Sequence, residues 1–254
     1  MAGTRKIVES SIAPTFVSPR EGVPRYNMYT ELVGTIDAMV GSRSHSVFGD
    51  TYAGHLASTL TQSESVGALL DETEPETPVE SSNALRQIAK VIKARESLEA
   101  ERDVFILSIN NFDTHFDLDH TERFGEVDDV IADFEAEMKA QGVWDDVVML
   151  TVSDFGRTLT VNGGGTDHAW GGNYFVLGGG IKGGQVHGSF PSSLAEDADL
   201  ILGRGRVVPT LPYEGVWRAL CEWFGVPAAD LARILPNLEN FPTDLHITQE
   251  QLFE

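Results

Sequence analysis

Carboxylates and imidazoles gather at three points of the 254-residue chain, and each point adjoins an apolar run. Asn110-Asn111-Phe112-Asp113-Thr114-His115 follows DVFILSIN (103–110). Ser153-Asp154-Phe155-Gly156-Arg157-Thr158 follows DVVMLTVS (146–153). Gly163-Gly164-Gly165-Thr166-Asp167-His168 precedes NYFVLGG (173–179). Aspartate oxygens and histidine nitrogens converging on one point are the usual ligands of zinc and similar divalent ions. A bound ion of that kind polarises ester oxygens and activates water. Asp113, His115, Asp154, Asp167 and His168 are therefore the candidate metal ligands, for zinc, magnesium or calcium. Arg157 is the candidate catalytic residue, a guanidinium fork able to clamp an anionic ester. Each has a plainer reading. Asp113 also suits a turn cap, and Asp154 also suits a loop ion pair with Arg157. His115 alone also suits a structural hydrogen bond. His168, in a glycine-rich loop between Asp167 and Trp170, is the hardest to explain as packing. His45, His55, His120, His187 and His246 have no comparable setting.

The elements needed to hold these residues can be read from periodicity. Leu85, Ile88, Val91 and Ile92 predict a helix from Ser82 to about Leu98, with Ser81 or Ser82 as its cap. Phe124, Val127, Val130, Ile131, Phe134 and Met138 predict a second, ending near Gly142. Short helices are expected over 29–39, 212–224 and 228–235. The three apolar runs have the length and composition of strands buried on both faces. Strand, helix, strand, loop, strand predicts an α/β fold, a mostly parallel sheet flanked by helices. Ligands of such sheets bind at the carboxyl ends of the strands, where Asp113, His115 and Asp154 fall. Pro14, Pro19, Gly22 and Pro24 suggest an extended segment, and DETEPETPVES (71–81) an exposed acidic loop or linker. The expected division is an irregular segment over 1–81 and an α/β domain over 82–254.

Composition narrows the partners. With 39 acidic and 18 basic residues the net charge is −21, which argues against nucleic acid and anionic membrane. There is no run of 18 apolar residues and no signal peptide in the chain, so no membrane span is expected. The default location is cytoplasmic. One cysteine, Cys221, excludes an intrachain disulfide and reads as a buried thiol. Gly178-Gly179-Gly180-Ile181-Lys182-Gly183 formally fits G-x-G-x-x-G, but no helical pattern follows it, so a tight turn is expected.

FDTH, SDFGRT, GGTDHAWGG and VLGGGIKGG, in that order, resemble the bacterial family known as domain of unknown function 1501. The matching stretch runs from about Asn83 to Gly188, and LPYEGVWRALCEWFGVP looks like that family's C-terminal helix. The resemblance implies an alkaline-phosphatase-like fold, related to sulfatases and phosphomutases and incomplete here at its N-terminal side. It implies hydrolysis of a small phosphate or sulfate ester, with Asp113 as a first metal ligand, Asp154 as the Asp of an Asp-His pair, and His168 as the late ligand. The chain departs from that pattern. Phe155 stands where the pair has His, no D-x-x-x-H spacing follows Asp113, and residues 1–60 offer no evident nucleophile. The sulfatase C-x-P-x-R motif is missing too. A catalytically inactive homologue, acting as a structural subunit in a homo-oligomer or larger assembly, is the competing expectation. An open sheet edge would favour such pairing.

Overall fold

The computed structural model describes residues 29–42 and 46–254. The proline-rich segment around Pro14 to Pro24, and His45, lie outside the described residues. The chain divides into two compact units. One contains the described residues up to Ser108 together with Asp128–Gln141; the other contains Ile109–Val127 and Gly142–Glu254. The first break falls after Ser108.

The first unit is helical. Its elements are α1 (Tyr29–Val40), α2 (Val47–Glu72), α3 (Asn83–Lys93) and residues 128–140 of α4 (Thr121–Ala140). Residues 47–72, expected to be irregular, form the longest of these, although α2 buries only Gly67 and Leu70. That sparse burial explains why no apolar stripe marks it in the sequence. α3 starts as expected, with Ser82 Oγ accepting from the Leu85 amide at 3.3 Å. Its buried face is Leu85, Ile88, Ala89 and Ile92, the 3.6-residue stripe. α4 buries Val130, Phe134 and Met138.

The acidic stretch between α2 and α3 is tied down. Glu137, with 0% exposure, accepts from the Glu76 amide at 2.9 Å, the Thr77 amide and hydroxyl at 2.7 Å each, and Gln141 Nε2 at 2.7 Å. Asp133 Oδ2 accepts from the amides of Glu80 and Ser81, at 2.9 Å each. A buried carboxylate is tolerated only when its oxygens are satisfied in this way.

The second unit overturns the predicted fold. Among the described residues there is no parallel sheet. The strands are β1 (Met149–Leu150), β2 (Gly156–Val161), β3 (Thr166–Ala169), β4 (Val176–Leu177), β5 (Ile201–Leu202) and β6 (Arg206–Val207). They form three antiparallel pairs, β1 with β4, β2 with β3, and β5 with β6. The alkaline-phosphatase-like α/β sheet is therefore not the architecture of this chain. The reason lies in the connections. Parallel neighbours need a long crossover, usually helical. Between the second and third apolar runs the chain has only the β2–β3 hairpin, so it reverses and pairs Met149 with Leu177 and Leu150 with Val176. The first run, 103–110, forms no strand; Val104 is 75% exposed and Ile106 76%. Apolar composition marks a segment as strand-like, but carries no information on the direction of its neighbour.

The core of this unit lies at the chain's C-terminal end. α5 (Tyr213–Trp223) supplies Ala219 and Leu220, which pack with Ile247, Leu252 and Phe253. Trp223 stacks on Phe253, with centroids 5.2 Å apart. α6 (Ala228–Ile234) closes a second cluster in which Cys221 is buried, as expected. α7 (Gln249–Leu252) begins with a capping box between Thr248 and Gln251. The G-x-G-x-x-G stretch is a turn, with the Ile181 amide bonded to Gly178 O at 3.2 Å. No helix among the described residues is long and apolar enough to cross a membrane.

Candidate metal centre

The β2–β3 hairpin is the platform of the site. Its register sets Arg157 opposite His168 and Gly156 opposite Ala169. Asn162 closes the turn: its amide donates to Gly165 O at 2.9 Å, and its side-chain oxygen accepts from the Gly165 amide at 3.2 Å. Gly165 then packs directly on the backbone of the FDTH segment. A Cβ at Gly165 would lie 2.3 Å from the carbonyl carbon of His115, so only glycine fits.

Arg157 fastens that segment to the hairpin. Its Nη2 donates to the carbonyls of Thr114 and Thr166, its Nε to Thr166 Oγ1 at 2.9 Å, and its Nη1 to Asp113 Oδ1 at 3.1 Å. Four of the five guanidinium N–H groups thus point at protein acceptors. No two-pronged fork is left for an anion in this arrangement, in which the guanidinium ties the FDTH segment to the hairpin. Its carboxylate partner is Asp113, not the neighbouring Asp154.

Asp113, His115 and His168 converge. Their ligand atoms, one from each residue, all lie within 4.8 Å of one another. Asp113 Oδ1 is 3.0 Å from His115 Nε2 and 2.8 Å from His168 Nε2. Zinc ligands about 2.1 Å from a shared ion stand roughly 3.4 Å apart, so small adjustments would admit one. Two imidazoles and one carboxylate also match the three-ligand set of catalytic zinc, which keeps a further position open. The residues present therefore fit a divalent ion.

Stacking fixes the rings. The Phe155 ring lies parallel to His168, with centroids 4.0 Å apart and planes 2° apart. His115 stacks from 5.3 Å at 28°. Phe155, which breaks the Asp-His pair expected after Ser153, thus contributes a wall in place of a ligand. The hydrogen bond from His168, followed by that from Arg157 and the charge of His115, holds the Asp113 carboxyl below the usual carboxylate range.

The other two candidate ligands stand elsewhere. Asp154 is exposed and is not part of the converging group. Asp167 lies behind His115, with Oδ1 3.5 Å from Nδ1. That is the nitrogen turned away from Asp113. Asn162 Nδ2 also donates to Asp167 Oδ1 at 2.7 Å, and Arg204 Nη2 pairs with Oδ2 at 2.5 Å. The Asn162 bond, then Arg204 and His115, lowers the Asp167 pKa.

Sequence reasoning passed over Arg204, Asn162 and His120. His120 Nε2 is 2.8 Å from Thr114 Oγ1, and its ring stacks on Phe112, bracing the FDTH segment from its other side. An Asn before a glycine run and an Arg between two glycines both signal turns. Neither signal says which side chain the turn will meet.

The sequence model of one family, described as protein of unknown function (DUF1501), matches residues 44–199. The matched stretch includes Asp113, His115, Arg157, Asp167 and His168, and stops short of Arg204. No curated protein and no solved structure matches the chain.

Proposed function

The chain belongs to the DUF1501 family, and from that premise we propose that Asp113, His115 and His168 hold a divalent metal ion and that the centre hydrolyses small phosphate or sulfate esters. The observation that carries this reading is the convergence of three ligand atoms within 4.8 Å, contributed by two segments far apart in sequence. An ion bound there supplies Lewis acidity and lowers the pKa of a water to roughly 7. Charge supports the substrate class. Near the centre the carboxylates of Asp113 and Asp167 are balanced by Arg157 and Arg204. A divalent ion leaves that spot positive on a chain whose net charge is −21, and so attracts an anionic ester to it. His115 and His168 hold the ion, Phe155 walls one face of His168, and Arg157 keeps the FDTH segment in place.

A second reading is a non-catalytic homologue serving as a structural or assembly subunit. It draws on the engagement of Arg157 by protein acceptors and on the exposed side chains of Val104, Ile106 and Phe116.

Metal analysis of purified protein, paired with a panel of chromogenic phosphate and sulfate esters, separates the two. The hydrolase retains stoichiometric metal and turns over an ester, and His168→Ala loses both. Equal metal content and turnover in wild type and His168→Ala would sink the hydrolase reading. A stoichiometric partner that co-purifies with metal-free, inactive protein would favour the second.

A further inference from the structure

We propose that Asp167 is the positioning residue of the centre: it orients His115 through Nδ1, and Arg204 holds it in place to do so. This rests on the reading of Asp113, His115 and His168 as a metal centre.

His115 stands between two carboxylates, Asp113 at Nε2 and Asp167 at Nδ1. A neutral imidazole carries one proton, and the nitrogen that bears it cannot bind an ion. Asp113 alone would draw that proton to Nε2, the nitrogen that faces His168 and the ion's position. Asp167 offers a competing acceptor at Nδ1. With the proton there, the Nε2 lone pair is presented to the ion. Metal-bound histidines commonly donate their other N–H to a carboxylate for this reason.

Asp167, a partly buried side chain, is held from several sides. Asn162 and Arg204 hold separate oxygens, and the Asp167 amide donates to Thr158 Oγ1 at 3.0 Å. Arg204 sits in the turn between β5 and β6 with φ +68°, a left-handed conformation that disfavours side chains. The next residue, Gly205, has φ +71°, and its carbonyl accepts from the Leu159 amide at 2.9 Å. A Cβ at Gly205 would lie 2.8 Å from Leu159 Cβ. The turn is thereby pinned to β2, the strand that carries Arg157. A strained backbone at a residue whose side chain holds Asp167 is the kind of outlier that marks a functional constraint.

The test uses the full chain with Co²⁺ and Zn²⁺ as probes, comparing wild type, Asp167→Ala, Asp167→Asn, Asp167→Glu, Arg204→Met and His168→Ala. Asp167→Ala lowers affinity for either ion about 10- to 100-fold and alters the Co²⁺ visible spectrum. Asp167→Glu restores part of the affinity, Arg204→Met loses less than Asp167→Ala, and His168→Ala loses binding outright. In metal-free protein, ¹H–¹⁵N long-range correlation spectra place the His115 proton on Nδ1 in wild type and on Nε2 in Asp167→Ala. Wild-type affinity together with an unmoved His115 proton in both Asp167→Ala and Asp167→Asn overturns the proposal. If the proton moves but wild type binds neither ion, the positioning role stands and the metal reading falls.

Discussion

His168 Nε2 lies 2.8 Å from Asp113 Oδ1, although the residues are 55 positions apart in the chain. His115 Nε2 and Arg157 Nη1 approach the same oxygen, at 3.0 and 3.1 Å. That carboxylate oxygen therefore accepts from His168 and Arg157 and lies beside the His115 ring, and the behaviour of the site follows from what happens to it.

The first consequence is a pH signature. The folded-state pKa of Asp113 is lowered, first by His168 and then by Arg157 and His115. The stabilisation this brings is present above the unfolded value of about 3.9 and is lost as pH falls through the lower folded value. A ¹³C carboxyl titration of metal-free protein is expected to show Asp113 ionising below a free aspartate. In His168→Ala the midpoint moves up. An unmoved midpoint would mean that the His168 contact does not form in solution.

Arg157→Lys is expected to behave as a severe change and not a conservative one. An ammonium cannot reach the Thr114 and Thr166 carbonyls, Thr166 Oγ1 and Asp113 together. Hydrogen bonds to charged groups contribute about 1.5–3 kcal/mol each, and loss of the set should cost about 3 kcal/mol, read as a shift of the urea midpoint at constant slope. Metal affinity should fall with it. A Lys variant as stable as wild type would show that the tie is dispensable.

Gly165→Ala should disturb the centre from outside it. The added methyl would meet the His115 backbone at 2.3 Å, so the FDTH segment must move off the hairpin. Gly172→Ala is the control, because nothing lies within 4 Å of a Cβ there. The expected outcome is reduced stability and metal binding for Gly165→Ala, with both near wild type for Gly172→Ala.

Glu137 makes a prediction about the helical unit. Burial works to raise its pKa, but the bonds from Gln141, Thr77 and the Glu76 amide outweigh that, and the pKa is lowered. Its contribution is therefore present above the unfolded value of about 4.3 and lost as pH falls through the folded one. Glu137→Ala strands buried donors and should cost about 3 kcal/mol at neutral pH. The difference from wild type should shrink in thermal melts below pH 4.

Helices were legible from the chain because their evidence is local. Leu85, Ile88 and Ile92 recur at the helical period and Ser82 caps the turn before them, so α3 needs no distant partner to be recognised. α2 escaped because it buries too little to leave a stripe. Asp113, His115 and His168 could be named because imidazoles beside carboxylates in glycine-rich, strand-flanking segments are costly to explain as packing. The direction of the strands could not be read, since a buried apolar run looks the same in either orientation and only the hairpin between β2 and β3 decides it. Nor could the fates of Arg157 and Asp167. Both lie in segments that announce chemistry, yet one guanidinium is consumed by backbone carbonyls and one carboxylate faces the far nitrogen of His115. Residue type states what a side chain is able to bond; which acceptor lies within 3 Å of it is set by segments dozens of positions away, and that is decided only when the chain has folded.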